Sequence, residues 1–373
     1  MEGKKIYVIA GEPSGDLHAS NMMKAILDED SNVDFRFWGG DKMADIQSEG
    51  LVKHIRDLAF MGFVEVLMNI RTILGNIKFC KKDIEEYQPD AIVLIDYPGF
   101  NLRIAEWAKS KGIKVYYYIS PQIWAWKQNR VHKIKKVVDH MFVILPFEED
   151  FYKKFDYKVE YVGHPLLDEI SKFDFDGSKT QFLEENQLSS KPIIAVLPGS
   201  RKQEVSVKLP IMVEALKGFT DYQIVVAGAP TLTPEFYASI DPSITIVFNE
   251  TYKLLANSDV AVVTSGTATL ETALFKVPEV VCYKGSEISY RIAKRLIKVK
   301  YISLVNLIMD REVVKELIQK ECNPAQIRDE VNRLINDKKR SQQIEEDYNS
   351  LQNILGGGGA SKKVAQSLLK TIR

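Results

Sequence analysis

One feature constrains this chain more than any other. Short runs of β-branched and aromatic residues recur between longer amphipathic stretches, and they do so in two sets. In the first half the runs cover 5–10, 35–38, 91–95, 114–119 and 141–145; in the second they cover 193–197, 223–227, 244–248, 260–264 and 279–283. Runs this apolar suit strands covered on both faces, and the stretches between them supply the helical crossovers that parallel strands require. The expected fold class is α/β, with two doubly wound Rossmann-like domains. The length of 373 residues accommodates both. A polar segment, 171–191, separates the sets, so the expected division is 1–170, 171–350 and a tail over 351–373. The tail holds Gly356 to Gly359, read as a flexible joint, and a closing helical stretch.

Composition excludes several classes. Fifty basic and fifty acidic side chains give no net charge, which argues against a nucleic-acid binder working through a whole-protein field. Cys80, Cys282 and Cys322 have no metal-type spacing and fit a reducing compartment. No apolar stretch reaches the roughly 18 to 20 residues of a spanning helix, and the apolar run 6–10 is too short for a secretory core. Asp174 and Asp176 form a D-x-D, but in a linker, where a solvated turn is the simpler reading. No metal and no cofactor is expected.

Both halves open with a buried strand, a glycine-containing turn and a helix, and ligands of such sheets bind beyond the carboxyl ends of the strands. Two halves built this way imply a cleft. In the first turn, Gly11-Glu12-Pro13-Ser14-Gly15-Asp16, two carboxylates stand where a dinucleotide-binding turn carries glycines. They would repel a pyrophosphate, so the turn suits a neutral polyol or proton transfer, with His18 nearby; the plainer alternative is that Asp16 caps the helix. Asp96, after the very apolar run 91–95, is a candidate general base or a turn-forming residue before Tyr-Pro-Gly. In the second half, Gly199, Ser200 and Arg201 suit an anion, and so do the small residues Gly266, Thr267 and Thr269 at a helix start. Glu271, about one turn on, is placed to accept ribose hydroxyls, or else to sit near a capping box. Together the two turns suggest a nucleoside diphosphate. The segment 61–74 is unusually apolar, and 284–300 carries six bases against one acid with apolar residues at helical spacing. The second is readable as a membrane-surface or phosphate-binding segment.

The blocks GEPSGDLH, MGFVEVL, DYPGFN, SPQIWAWKQNR, LPFEEDFY, VGHPLLD, LPGSR, SGTATLE and SLVNLI occur in the order found in lipid-A-disaccharide synthases, and the chain resembles that family from residue 6 to about 309. The resemblance implies the GT-B fold, with two Rossmann-like domains facing across a cleft and the final helix packing back on the first. It implies transfer of 2,3-diacylglucosamine from its UDP carrier to 2,3-diacylglucosamine 1-phosphate with inversion, giving the β-1,6 disaccharide 1-phosphate and UDP. Under it, UDP lies on Gly199, Ser200, Arg201, Gly266, Thr267, Thr269 and Glu271. The base comes from Asp96, then Glu12 or Asp16, with His18 nearby. Ser14, Met61, Phe63, Glu65, Asn306, Arg291, Lys294 and Arg295 form the acceptor and lipid surface. Many relatives carry D-x-P-D-F where this chain has glycine at position 99, so a role for that second acid does not carry over. The implied location is the cytoplasm, peripherally on the inner membrane's cytoplasmic face, and a homodimer is compatible with the family. Other UDP-sugar enzymes, such as cell-wall N-acetylglucosaminyl transferases and UDP-sugar 2-epimerases, share the second-half pattern but not the first-half blocks. A two-lobed binding protein without catalysis is the alternative of another class.

Overall fold

The computed structural model of the chain describes residues 3–58, 70–173 and 179–372. Met61, Phe63 and Glu65, with most of the apolar segment, and the Asp174–Asp176 pair lie outside the described residues. The chain divides into two units, the first running to Glu169 and resuming at Gly356, the second spanning Ile170–Leu355.

In the first unit, seven strands form a parallel sheet: β1 (Lys5–Ala10), β2 (Asp34–Gly39), β3 (Leu51–His54), β4 (Ala91–Ile95), β5 (Lys114–Tyr118), β6 (His140–Val143) and β7 (Glu160–Tyr161), in the order β3-β2-β1-β4-β5-β6-β7. The second unit has six: β8 (Ile193–Leu197), β9 (Gln223–Gly228), β10 (Thr245–Phe248), β11 (Val260–Thr264), β12 (Glu279–Tyr283) and β13 (Lys315–Ile318), in the order β10-β9-β8-β11-β12-β13. All ten runs expected from the sequence are strands. The three unexpected strands, β3, β7 and β13, all lie at sheet edges, where one flank has no strand to pair with. Their short sequences LVKH, EY and KELI carry charge accordingly.

Seven helices matter below: α1 (Pro13–Glu29), α2 (Asp41–Ala44), α3 (Pro98–Ser110), α4 (Lys202–Leu216), α5 (Thr267–Leu274), α6 (Glu287–Leu296) and α7 (Ala360–Thr371). In each sheet the chain builds outward one way and then returns to build the other way. The reversal falls between β1 and β4 in the first unit and between β8 and β11 in the second. A crevice forms beyond the strands' carboxyl ends at such a reversal. Both functional turns of each half therefore meet at one point, a consequence of strand order that the sequence does not display.

The closing helix α7 belongs to the first unit. Val364, Ala365 and Leu368 are fully buried in the same core as Ile6, Val8, Met22 and Ile26. Asp168 receives the backbone N–H groups of Gly359, Ala360 and Ser361 at the start of α7. Gly359 adopts a φ of +92°, a left-handed turn in which L side chains are strained. The glycine run is thus the docked entry to a helix capped across the chain by a carboxylate.

Candidate active site

The second unit carries a cavity of about 310 Å³ at its topological reversal. Gly199 and Ser200 after β8 line one wall, and Gly266 and Thr267 after β11 line the other. Gly199 has a φ of +118° and Gly266 of +154°. Each turn delivers a helix N-terminus, α4 and α5, so first-turn backbone N–H groups converge on an anion-sized space, and Arg201 caps the start of α4 without lining that space. Thr264, at the end of β11, also lines the cavity, and its hydroxyl is buried without a hydrogen-bond partner.

Glu271 lines the same cavity and accepts a hydrogen bond from the Tyr252 hydroxyl at 3.0 Å. Burial raises its carboxyl above the usual range, and the Tyr252 bond opposes that rise. Thr269 is fully buried, and its hydroxyl bonds the Gly266 carbonyl at 2.8 Å. It shapes the turn and is not among the residues lining the cavity. Glu204 lies closer to the ligand space than its sequence position suggests. It folds back so far that a Cβ on Gly199 would stand 2.6 Å from Oε2, and it sits 3.9 Å from Arg201. A carboxylate thus rests against the anion turn. Tyr252, Glu204 and the Gly228-Ala229-Pro230 turn after β9 lie outside the sequence motifs above. The glycine at a strand's carboxyl end was the available signal for the last of these.

In the first unit the reversal brings Glu12 and Asp96 together. Ala10 pairs with Ile95, and Ile95 with Tyr118, so the turns after β1 and β4 leave adjacent positions on one edge. The Tyr97 ring lies against Gly11 so closely that a Cβ there would be 2.4 Å from it. Asp96 and Tyr97 both have positive φ, 42° and 47°, a conformation that costs a non-glycine residue energy and persists only where neighbours enforce it. The enforcing contacts are visible. The Asp96 carbonyl accepts from the Tyr117 hydroxyl at 2.5 Å and from the Asn101 amide at 2.8 Å, and its N–H donates to the Tyr118 carbonyl at 3.1 Å. The carboxyl group is half-buried. Desolvation, then the nearby Glu12 charge, pushes it up to about 6, with the Tyr97 amide opposing. Gly99 is exposed with open space where a Cβ would be, so packing does not dictate a glycine there.

Asp16 does different work from Asp96. It is buried and accepts from the backbone N–H groups of Gly40 at 2.6 Å, Lys42 at 3.1 Å and Met43 at 3.2 Å, pinning the start of α2. With its oxygens so occupied it brackets the start of α2, the structural alternative that the sequence also offered. His18 is also buried. Burial drives its imidazole down to about 4 against the pull of Glu169 and Asp168, and Nδ1 has no partner. It is held neutral inside the unit, and Ser14, one turn earlier on α1, is exposed.

Asn306 is likewise internal. Its amide N–H groups reach Val314 and Glu316, both at 2.9 Å, and its oxygen accepts from Val313 at 2.7 Å and Val314 at 3.0 Å. Both its amide N–H groups are engaged within the unit. Arg291, Lys294 and Arg295 are exposed on α6, which follows β12 from the same sheet edge as the cavity, and Leu296 and Ile297 are exposed beside them. Among the described residues no helix is long and apolar enough to cross a membrane, and no three His, Cys, Asp or Glu side chains gather as a metal site.

The profile of one family, described as lipid-A-disaccharide synthetase, matches residues 6–371. A lipid-A-disaccharide synthase of Trichlorobacter lovleyi is 39% identical over 99% of this chain and 98% of its own. That of Syntrophus aciditrophicus is 38% identical over 100% and 99%, and one from Coxiella burnetii 37% over 98% of each. Among solved structures, a UDP-GlcNAc 2-epimerase from Neisseria meningitidis bound to UDP-GlcNAc superposes with a TM-score of 0.65 at 15% identity, covering 98% of this chain and 100% of that one. The glycotransferase of kitacinnamycin does so with 0.66 at 11%, covering both chains completely. These two establish the fold class, the pair of parallel-sheet α/β domains shared by GT-B glycosyltransferases and epimerases.

Proposed function

The chain belongs to the lipid-A-disaccharide synthetase family, a glycosyltransferase family of lipid A biosynthesis, and from that premise we propose that it moves 2,3-diacylglucosamine from UDP to 2,3-diacylglucosamine 1-phosphate with inversion. The observation that carries the donor side is the convergence of two helix-starting turns and Glu271 on one cavity, with Arg201 next in the chain to Ser200 of its wall. The turns and Arg201 suit a diphosphate, and Glu271 suits ribose hydroxyls. Donors fixed before the reaction stabilise the charge that grows on the departing UDP without needing to reorganise.

On the acceptor side the 6-hydroxyl oxygen attacks the anomeric carbon. The new C–O bond forms as the bond from that carbon to the diphosphate oxygen breaks, and UDP leaves with the electron pair. Asp96 takes the hydroxyl proton. A carboxyl poised near 6 is mostly ionised at neutral pH and is a stronger base than an ordinary aspartate. Glu12 raises that basicity. The exposed cations of α6 and the adjacent Leu296 and Ile297 suit anionic lipid headgroups, which supports a peripheral position on the inner membrane.

The deciding experiment is UDP release from UDP-2,3-diacylglucosamine, measured with and without the phosphorylated acceptor. Acceptor-dependent release with a disaccharide product is expected. Acceptor-independent epimerisation of UDP-GlcNAc, or tight sugar binding without turnover, would refute the assignment.

A further inference from the structure

The block SPQIWAWKQNR contains two tryptophans with opposite environments. Trp124 is buried; its indole N–H donates to Glu148 at 3.2 Å, and its ring meets Phe147 edge-on at 4.9 Å. Glu148 also accepts the backbone N–H groups of Ile144, at 3.2 Å, and Leu145, at 3.0 Å. Two of the sequence blocks are thus clasped together by one buried carboxyl. The short helix Ile123–Trp126 is held firmly, and Gln128 reaches back to the Trp124 carbonyl at 3.1 Å. On this fixed base Trp126 is 41% exposed. Lys127 Nζ lies 4.3 Å from the centre of its ring and the Arg130 guanidinium 5.5 Å.

Neither cation forms an ion pair among the described residues, whereas Lys133 and Lys135 further along are bound to Glu106 and to the Phe155 carbonyl. Two cations without carboxylates, held beside an exposed indole, match a ligand with an apolar sugar face and a doubly charged phosphate. The location fits as well. The block follows β5, the strand next to β4, so it leaves the same sheet edge as Asp96. Arg130 is near enough to the buried Tyr117 hydroxyl to act on it, and that hydroxyl bonds the Asp96 carbonyl.

We propose that Trp126, Lys127 and Arg130 form the subsite for the phosphate monoester of the acceptor sugar. The inference rests on the glycosyl-transfer reading above and adds to it which residues hold the acceptor's charged end.

The test compares the wild type with Lys127→Gln/Arg130→Gln and with Trp126→Ala. Each is assayed in detergent with the phosphorylated acceptor and with the same sugar lacking its phosphate, and thermal melting checks that the variants fold. Loss of two charge-assisted bonds should raise KM for the phosphorylated acceptor roughly ten- to a hundredfold, leaving the donor KM unchanged. The dephosphorylated acceptor should be poor with the wild type and no poorer with the double variant. Should the variant misfold, Arg130→Lys, which keeps the charge, should show a smaller rise in the same KM. An equal loss with both acceptors would overturn the subsite. So would an unchanged acceptor KM accompanied by weaker binding to anionic vesicles, which would make the cluster a membrane anchor. If the wild type turns over neither acceptor, the proposed function fails and the subsite with it. If the wild type is active and the variant's acceptor KM is unmoved, only the subsite fails.

Discussion

The carboxyl pair at the first unit's switch point makes a prediction that can be worked through in numbers. The Asp96 carboxyl is raised from 3.8 to about 6, first by desolvation and second by Glu12. If Asp96 accepts the proton, kcat/KM follows its ionised fraction in the free enzyme. That fraction is about nine tenths at pH 7 and about one tenth at pH 5, so the rate should fall roughly tenfold between them. Glu12→Gln removes the second cause and leaves the first. The acid limb should then move to lower pH and settle between 3.8 and about 6. Asp96→Asn should lower kcat by about 10²- to 10⁴-fold, the usual worth of a positioned base.

The same shift has a thermodynamic signature of the opposite sense. A carboxyl whose folded pKa exceeds its unfolded value binds more protons in the folded state. The wild type therefore loses stability as pH rises from about 4 to 6, and the penalty is complete above 6. Asp96→Asn lacks the penalty and should be more stable than the wild type at pH 8, by at most about 3 kcal/mol, with the gap closing at pH 4. UDP release across pH and paired thermal melts provide the two measurements. A wild-type acid limb near pH 4, a Glu12→Gln limb that stays put or moves upward, or an Asp96→Asn enzyme that is fully active would each refute the reasoning.

Three further outcomes follow from particular contacts. Glu204→Gln removes a negative charge lying against Gly199 and near Arg201; UDP should bind roughly three- to tenfold more tightly by calorimetry, the screened value for a partly exposed charge, and weaker binding would show that Glu204 supports the site. Asp168→Ala removes the acceptor for three N–H groups at the start of α7, so the first unit should lose about 1–2 kcal/mol, with faster hydrogen exchange over 360–372 and little change in the second unit. Arg291→Ser with Lys294→Ser and Arg295→Ser should weaken binding to anionic vesicles by about 1 kcal/mol per residue, and more so at low salt; unchanged sedimentation with vesicles would remove α6 from the membrane face.

What the sequence disclosed depends on how local the cause of each feature is. A central strand is specified by its own residues, since IIAVL or AIVLI can be stable only with both faces covered. Edge strands such as KELI take their pairing from one neighbour and carry little pattern of their own. The two glycine turns of the second unit were legible because the requirement is local: a glycine where φ is positive, followed by small polar residues at a helix start. Tyr252 was not legible, because its bond to Glu271 crosses 19 residues. Nor was the clasp at Glu148, which joins one motif block to another across 24.

Asp16 and Asp96 show the same limit within one site. Both are acids within a few residues of the end of a central parallel strand, and nothing in their immediate sequence ranks one above the other. The distinction arises from residues far along the chain. Gly40 and Met43, 24 and 27 residues on, supply N–H groups that hold the Asp16 carboxylate in place. At Asp96 the distant Tyr117 and the local Asn101 grip the backbone carbonyl and leave the side chain half-buried beside Glu12. N–H donors aimed at a carboxylate occupy its oxygens and tie it to the scaffold. Donors aimed at the backbone behind it fix its position and leave the side chain to its surroundings. Which acid can take a proton is therefore decided by where its neighbours' hydrogen bonds point, and that depends on the order of the strands.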